Sequence, residues 1–201
     1  MTETLQIIVF PLLAYLIGSI SSAILISKVM NLPDPRKIGS GNPGATNVLR
    51  SGNKNAAFLT LLCDLLKGFI PVALTSLTSN SPAVLSLVAI AAFMGHLYPV
   101  YYGFKGGKGV ATAIGIFLGL NIYIFVAFAL TWMAAAFLSR MSSFAALAAS
   151  AIALVSSILF WQNLPVVGAI FVIVAFIFLK HRSNIERIVA GTESKIGEKT
   201  E

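Results

Sequence analysis

Most of this chain consists of apolar runs long enough to cross a lipid bilayer, separated by short polar connections. A helix needs roughly 20 mostly apolar residues to span the hydrocarbon core. Such runs extend from about Leu5 to Val29, Ala56 to Thr78, Pro82 to Val100, Phe144 to Phe160 and Pro165 to Leu179. The stretch from Val110 to Leu138 fits one long tilted helix, or two short ones broken near Gly119 and Asn121. Only 10% of the 201 residues are charged, against about 25% in a soluble domain. Most of the surface must therefore face lipid, and the expected fold is all-α, a polytopic integral membrane bundle forming a single domain.

Charge placement selects among topologies. Lys and Arg outnumber Asp and Glu by 14 to 7, and the excess sits in connections. With the N-terminus external and Val110–Leu138 folded as a hairpin, seven crossings put Lys28 to Lys54, Lys105, Lys108, Arg140 and Lys180 to Lys199 on or near the cytoplasmic side. The external links, around Ser79–Ser81, Asn121 and Gln162–Asn163, then carry no basic residue, in line with the positive-inside bias. A single helix over Val110–Leu138 would move Arg140 and the basic end of the chain outside. Glu3 is the only charged residue before Lys28, so the start does not read as a cleavable signal. Residues Glu193 to Glu201 read as a frayed hydrophilic tail.

With so little chain outside the membrane, the basic excess points to anionic lipid or anionic substrates rather than nucleic acid. Two connections have the composition of phosphate sites. The first reads GSGNPGATNVLR, from Gly39 to Arg50. Asn42 before Pro43 is a plausible N-cap, because proline suits the first helical position. A helix start among small residues offers free N–H groups to an anion. Asn47 and Arg50, three apart, share a face of that helix; a bare capped turn with Arg50 on lipid headgroups would not require Asn47. The second connection, Gly95 to Thr112, contains Lys105, Gly106, Gly107, Lys108 and Gly109. Glycines let the main chain approach an anion, and the lysines supply charge. A nucleotide P-loop would place Ser or Thr after its lysine to hold magnesium; here Gly109 follows Lys108, which argues against an ATPase.

Ser142 and Ser143 start a later apolar run and read as a cap or as hydrogen-bond donors to a reacting group. His181, Asn184 and Arg187 recur every three residues, forming one polar face where the last helix leaves the membrane. Asp64 and Lys67, three apart inside a span, suit an ion pair facing the bundle interior, either structural or supporting a site. His96 reads as a satisfied structural histidine at a helix end. Cys63 reads as a small packed hydrophobe. Two histidines and one cysteine make no recognisable metal cluster, so no metal is expected.

Taken together, GSGNPGATNVLR, DLLKG, GHLYPVYYGFKGGKGVAT and HRSNIERIVAGTE resemble, in order and over most of the chain, the bacterial acyl-phosphate:glycerol-3-phosphate acyltransferases of the PlsY type. The resemblance implies a seven-helix bundle in the bacterial plasma membrane with its active site at the cytoplasmic face. It implies transfer of a fatty acyl group from acyl phosphate to the 1-hydroxyl of glycerol 3-phosphate, giving 1-acylglycerol 3-phosphate and phosphate for phospholipid synthesis. Membrane lipid and an enzyme that produces acyl phosphate are the partners in view, and no cofactor is expected.

Both substrates carry phosphate, which matches two glycine-rich basic connections. Ser40, Arg50, Lys108, His181 and Asn184 are the expected glycerol 3-phosphate ligands, with Asn42 and Asn47 in the same loop. Gly106, Gly107 and Gly109, with Lys105, Ser142 and Ser143, are expected to hold the acyl phosphate. Arg50, Lys108, His181 and Asn184 are the residues expected to act in catalysis. The expected base is the substrate's own phosphate, oriented by His181. The spacing from His181 to Glu186 imitates the His-x4-Asp motif of other acyltransferases and reads as coincidence. A transporter for a phosphorylated solute is the main rival and predicts polar residues deep in several helices. A non-catalytic lipid-binding protein is a second rival and would not need Asn47, Arg50, Lys108 and Asn184 together.

Overall fold

The computed structural model describes residues 2–160 and 163–197, and no strand occurs among them. Among the described residues ten α-helices follow one another: α1 (Glu3–Gly18), α2 (Ser22–Val29), α3 (Ala45–Leu49), α4 (Lys54–Thr78), α5 (Pro82–Leu97), α6 (Val110–Leu120), α7 (Ile122–Ser139), α8 (Ser142–Phe160), α9 (Leu164–Lys180) and α10 (Arg182–Val189). A 3-10 turn, Val100–Tyr102, follows α5. The link expected at Gln162 and the end of the expected tail, 198–201, lie outside the described residues.

Helix α4, the segment from Pro82 to Tyr102, α7 and α8 are each long and apolar enough to cross a membrane. The bent pairs α1–α2 (42°) and α9–α10 (59°) bring that number to six. The expected first span, Leu5 to Val29, is thus broken at Ser19–Ser21 rather than continuous. The hairpin expected between Val110 and Leu138 breaks at Asn121, whose side-chain oxygen accepts from the Tyr123 N–H at 2.8 Å. Its two arms are unequal, because α6 has 11 residues, about 16 Å at 1.5 Å per residue. Leu77, Phe137, Leu138 and Leu164 are each more than 80% exposed, as expected for a bundle whose solvent is lipid. The interior is built from Phe93, Ile116, Phe117, Phe128, Ile170 and Ile173. Cys63 lies exposed on α4 rather than packed.

Glycine permits the closest helix contacts. A Cβ on Gly18 of α1 would collide with the Ala92 carbonyl of α5, and one on Gly95 with the Tyr15 carbonyl. Gly68 of α4 and Gly115 of α6 bear the same relation to the carbonyls of Thr112 and Leu65. Small residues of this kind let membrane helices approach backbone to backbone. The break between α1 and α2 frees the Ile20 carbonyl, which accepts from the Lys67 ammonium at 2.7 Å. Lys67 also pairs with Asp64 at 2.8 Å, and Ser22 of α2 donates to Asp64 at 2.7 Å. The expected ion pair therefore forms and staples the bent first span to α4.

Gly115→Ala should force α4 and α6 apart, at a cost of about 1–3 kcal/mol and a Tm lowered by several degrees. Gly168→Ala, where nothing lies within 4 Å of the new methyl, should leave Tm unchanged or slightly raised. Thermal unfolding of the detergent-solubilised protein distinguishes the two.

Candidate active site

A cavity of about 520 Å³ opens where the connections gather at one end of the bundle. Its polar wall contains Ser40, Asn42, Asn47 and Arg50 from the first connection, Lys108 and Gly109 from the second, Ser142 and Ser143 from the start of α8, and His181, Asn184 and Arg187 at α10. Its apolar wall contains Leu61 of α4, Ile114 of α6, Trp132 of α7 and Ala146 of α8, with Leu61 exposed at the surface of the bundle. Asp64 and His96 also border it. Segments far apart in sequence thus supply one polar wall and one apolar wall.

The first connection is organised by Asn47. Its side-chain oxygen accepts from the Ser40 N–H at 2.9 Å, and its amide nitrogen donates to the carbonyls of Pro35 (2.7 Å) and Ile38 (3.1 Å). Asn47 is 2% exposed, and its polar atoms are committed to the loop, so it shapes the binding wall rather than offering a free group. Gly39, at φ +52, leaves no room for a Cβ beside the Asn47 oxygen. The expected cap at Asn42 does not form. Gly44, in extended conformation, precedes α3 in place of Asn42, so Pro43 remains outside the helix and Asn42 stands two residues too early to cap it. Arg50 follows the last residue of α3 and faces the cavity without a carboxylate partner among the described residues.

The second connection divides. Lys108 reaches the cavity and donates to the Asn184 side-chain oxygen at 2.5 Å. Lys105 is exposed and outside the cavity wall, and Gly106 and Gly107 line a separate small space beneath it. The expected anion cradle over Gly106–Gly109 is thus reduced to Lys108 and Gly109 at the cavity. Gly106 and Gly107 face the end of α5, where a Cβ would strike the His96 carbonyl and ring. Burial lowers the Lys108 pKa from the ordinary lysine value; Glu193 opposes that shift, and the Arg187 and Arg50 charges add to it.

The C-terminal side is held by Glu193, which the sequence reading had assigned to a frayed tail. Ser143 donates to its carboxylate at 2.7 Å, Asn184 at 2.6 Å and Arg187 at 2.7 Å. Burial raises its pKa, but those three hydrogen bonds outweigh burial and hold the carboxyl below the usual range. The chain then returns over the α7–α8 turn, where the Ile196 N–H donates to the Arg140 carbonyl at 2.6 Å. His181, 3% exposed, lies 2.8 Å by its Nδ1 from the Ile177 carbonyl. A carbonyl only accepts, so Nδ1 carries the proton and the neutral ring keeps an acceptor at Nε2. Glu186 pairs with Arg182 at 3.3 Å on the exposed side of α10, which removes any His-x4-Asp reading.

The sequence reading missed Glu193, Ser183 and Ser194 at the cavity, noticed Arg187 without assigning it, and named none of the apolar wall. Glu193 stands seven residues after Glu186 in a short polar segment, and only its three partners on folding distinguish it from a tail carboxylate. The apolar lining carries no local signal, because Leu61, Ile114, Trp132 and Ala146 look like any other residues of their spans.

Comparison with known proteins agrees with this geometry. The family model described as glycerol-3-phosphate acyltransferase matches residues 8–191. A glycerol-3-phosphate acyltransferase of Thioalkalivibrio sulfidiphilus is 50% identical over 93% of this chain and 92% of its own length. One of Ralstonia nicotianae is 49% identical over 99% and 98%. The crystal structure of PlsY (YgiH), an integral membrane glycerol 3-phosphate acyltransferase, in its glycerol 3-phosphate form superposes with a TM-score of 0.91 at 36% identity, covering 95% of this chain and 96% of that one. Its lysophosphatidic acid form gives 0.89 at 35% identity, covering 95% of each. This chain is a membrane protein and belongs to the glycerol-3-phosphate acyltransferase family.

Proposed function

We propose that the chain, as a single membrane-embedded domain, transfers a fatty acyl group from acyl phosphate to the 1-hydroxyl of glycerol 3-phosphate. The products are 1-acylglycerol 3-phosphate and inorganic phosphate, and the reaction serves phospholipid synthesis. The observation that carries this reading is one cavity lined on one side by Arg50, Lys108 and Asn184 and on another by the apolar Leu61, Ile114 and Trp132. One side suits phosphate and the other suits an acyl chain. The relatives named for acyl transfer to glycerol 3-phosphate, and the related structures described with glycerol 3-phosphate and with lysophosphatidic acid, support the same substrates. Gathering of the basic connections at the cavity end supports a plasma-membrane protein with its active site facing the cytoplasm. In that topology the chain crosses seven times, with α6 as a short descending arm.

Ser40, Arg50, Lys108, His181 and Asn184 would hold glycerol 3-phosphate, with Ser142 and the Gly109 end of the glycine loop near the acyl phosphate. The glycerol hydroxyl oxygen attacks the acyl carbonyl carbon, and the bond from that carbon to the phosphate oxygen breaks. The electron pair leaves with phosphate, and the hydroxyl proton passes to a phosphate oxygen. An acyl phosphate is already activated, so catalysis rests on positioning and on neutralising the departing phosphate. Nε2 of neutral His181 can accept a hydrogen bond from the glycerol 2-hydroxyl, which orients the substrate and leaves the proton of the attacking 1-hydroxyl free to pass to phosphate.

Purified protein should release phosphate from palmitoyl phosphate only with glycerol 3-phosphate present, with an equal yield of lysophosphatidic acid. Lys108→Ala should lower kcat by about 100- to 1,000-fold. Saturable glycerol 3-phosphate binding without product would instead favour solute transport. His181→Gln should keep most turnover at saturating substrate if the substrate's phosphate is the base. Complete loss of the chemical step in a folded His181→Gln protein would transfer that role to the imidazole.

A further inference from the structure

We propose that a buried polar cluster of Asp64, His96 and Thr112 positions Lys108 for its substrate by fixing the glycine loop on both sides of it. The inference rests on the proposed role of Lys108 in holding a phosphate-bearing substrate.

Thr112 is fully buried, Asp64 is 2% exposed and His96 is 6% exposed. They come from α6, α4 and the last turn of α5. The Thr112 hydroxyl lies 3.1 Å from His96 Nδ1, and an Asp64 oxygen lies 3.7 Å from the same nitrogen. Asp64 is itself held by Ser22 and Lys67. The hydrogen-bonding contact at Nδ1 is therefore with Thr112, and a firmly held carboxylate stands behind it.

The loop is fitted to the other side of His96. Gly107 donates its N–H to the His96 carbonyl at 3.2 Å. A Cβ on Gly106 would strike that carbonyl, and one on Gly107 would strike His96 Nε2. Thr112, four residues beyond Lys108, meets the same ring at Nδ1. Lys108 thus sits between two points tied to one histidine, the first at Gly107 and the second at Thr112. A lysine has four rotatable side-chain bonds, so aiming its ammonium at Asn184 depends on where its Cα is held. An ion pair that only staples helices would not require the histidine to meet Gly107 at its carbonyl and Nε2 and Thr112 of α6 at Nδ1.

Thr112→Val keeps the shape of the side chain and removes its contact with His96, whereas Thr112→Ser restores the hydroxyl. In the full chain, in detergent or vesicles, Thr112→Val should lower kcat/KM for glycerol 3-phosphate by on the order of tenfold, within the roughly 100-fold that a 1 Å misplacement can cost. Tm should stay within a few degrees, and Thr112→Ser should recover most of the loss. His96→Asn, which keeps a nitrogen near the Nδ1 position, should likewise retain more activity than His96→Leu. Wild-type kinetics in folded Thr112→Val, or losses that follow Tm and are not rescued by serine, would overturn the proposal. So would failure of both the threonine and histidine series to fold, which assigns the cluster a structural role. If wild-type protein uses an acyl donor other than acyl phosphate, the donor reading fails. The variant series measured with that donor still decides the role of the cluster.

Discussion

A carboxylate buried among lipid-facing helices must find most of its partners within the protein, and in this protein Asp64 is that group. Leaving such a charge without partners costs several kcal/mol, so the surrounding segments must deliver them. Lys67 comes from the next turn of the same helix and Ser22 from the broken first span, at 2.8 and 2.7 Å. The same Lys67 ammonium satisfies the Ile20 carbonyl that the break exposes. The bent first span, the α4 charge pair and the end of α5 are therefore parts of one polar arrangement, and the loop carrying Lys108 rests on it.

A second carboxylate organises the opposite wall. Glu193 joins α8, through Ser143, to α10, through Asn184 and Arg187. Asn184 turns its oxygen to Lys108 because its amide nitrogen is taken by Glu193. Lys108 is consequently aimed from both ends, by the support under its main chain and by the asparagine at its ammonium. Ser143 donates a hydrogen bond to Glu193, whose carboxylate also accepts from Asn184 and Arg187 and is a weakened base, so the contact holds the wall. Between the two walls, the cavity offers charged side chains on one side and apolar surface on another, which suits the proposed transfer between a lipid-like donor and a phosphorylated acceptor.

The bundle was legible in sequence because lipid imposes long apolar runs and places basic residues in the connections. The break at Asn121 and the Asp64–Lys67 pair were legible for similar reasons, since a polar residue in such a run needs a local explanation. The continuous first span was misread, because the bend at Ser19–Ser21 depends on a carbonyl partner 47 residues away at Lys67. Asn42 was misread as a cap because the helix starts only after Gly44, which leaves Asn42 two residues too early. Arg50, Lys108, His181 and Asn184, grouped on the strength of the family resemblance, do border one cavity. Lys105, Gly106 and Gly107 do not, because glycine chosen for close approach to another helix looks the same in sequence as glycine chosen for an anion. Glu193 was hidden by its polar neighbours, since a carboxylate in a hydrophilic stretch gives no sign of three hydrogen-bond donors waiting elsewhere in the fold.

The central claim is direct transfer between two substrates held together in one cavity, with no acyl group passing through the protein. Exchange of labelled inorganic phosphate into palmitoyl phosphate, measured without glycerol 3-phosphate, tests it most directly. The account predicts no exchange in the absence of acceptor, because cleavage of the acyl phosphate requires attack by the glycerol hydroxyl. Exchange in the absence of acceptor would reveal a covalent acyl-enzyme and contradict it.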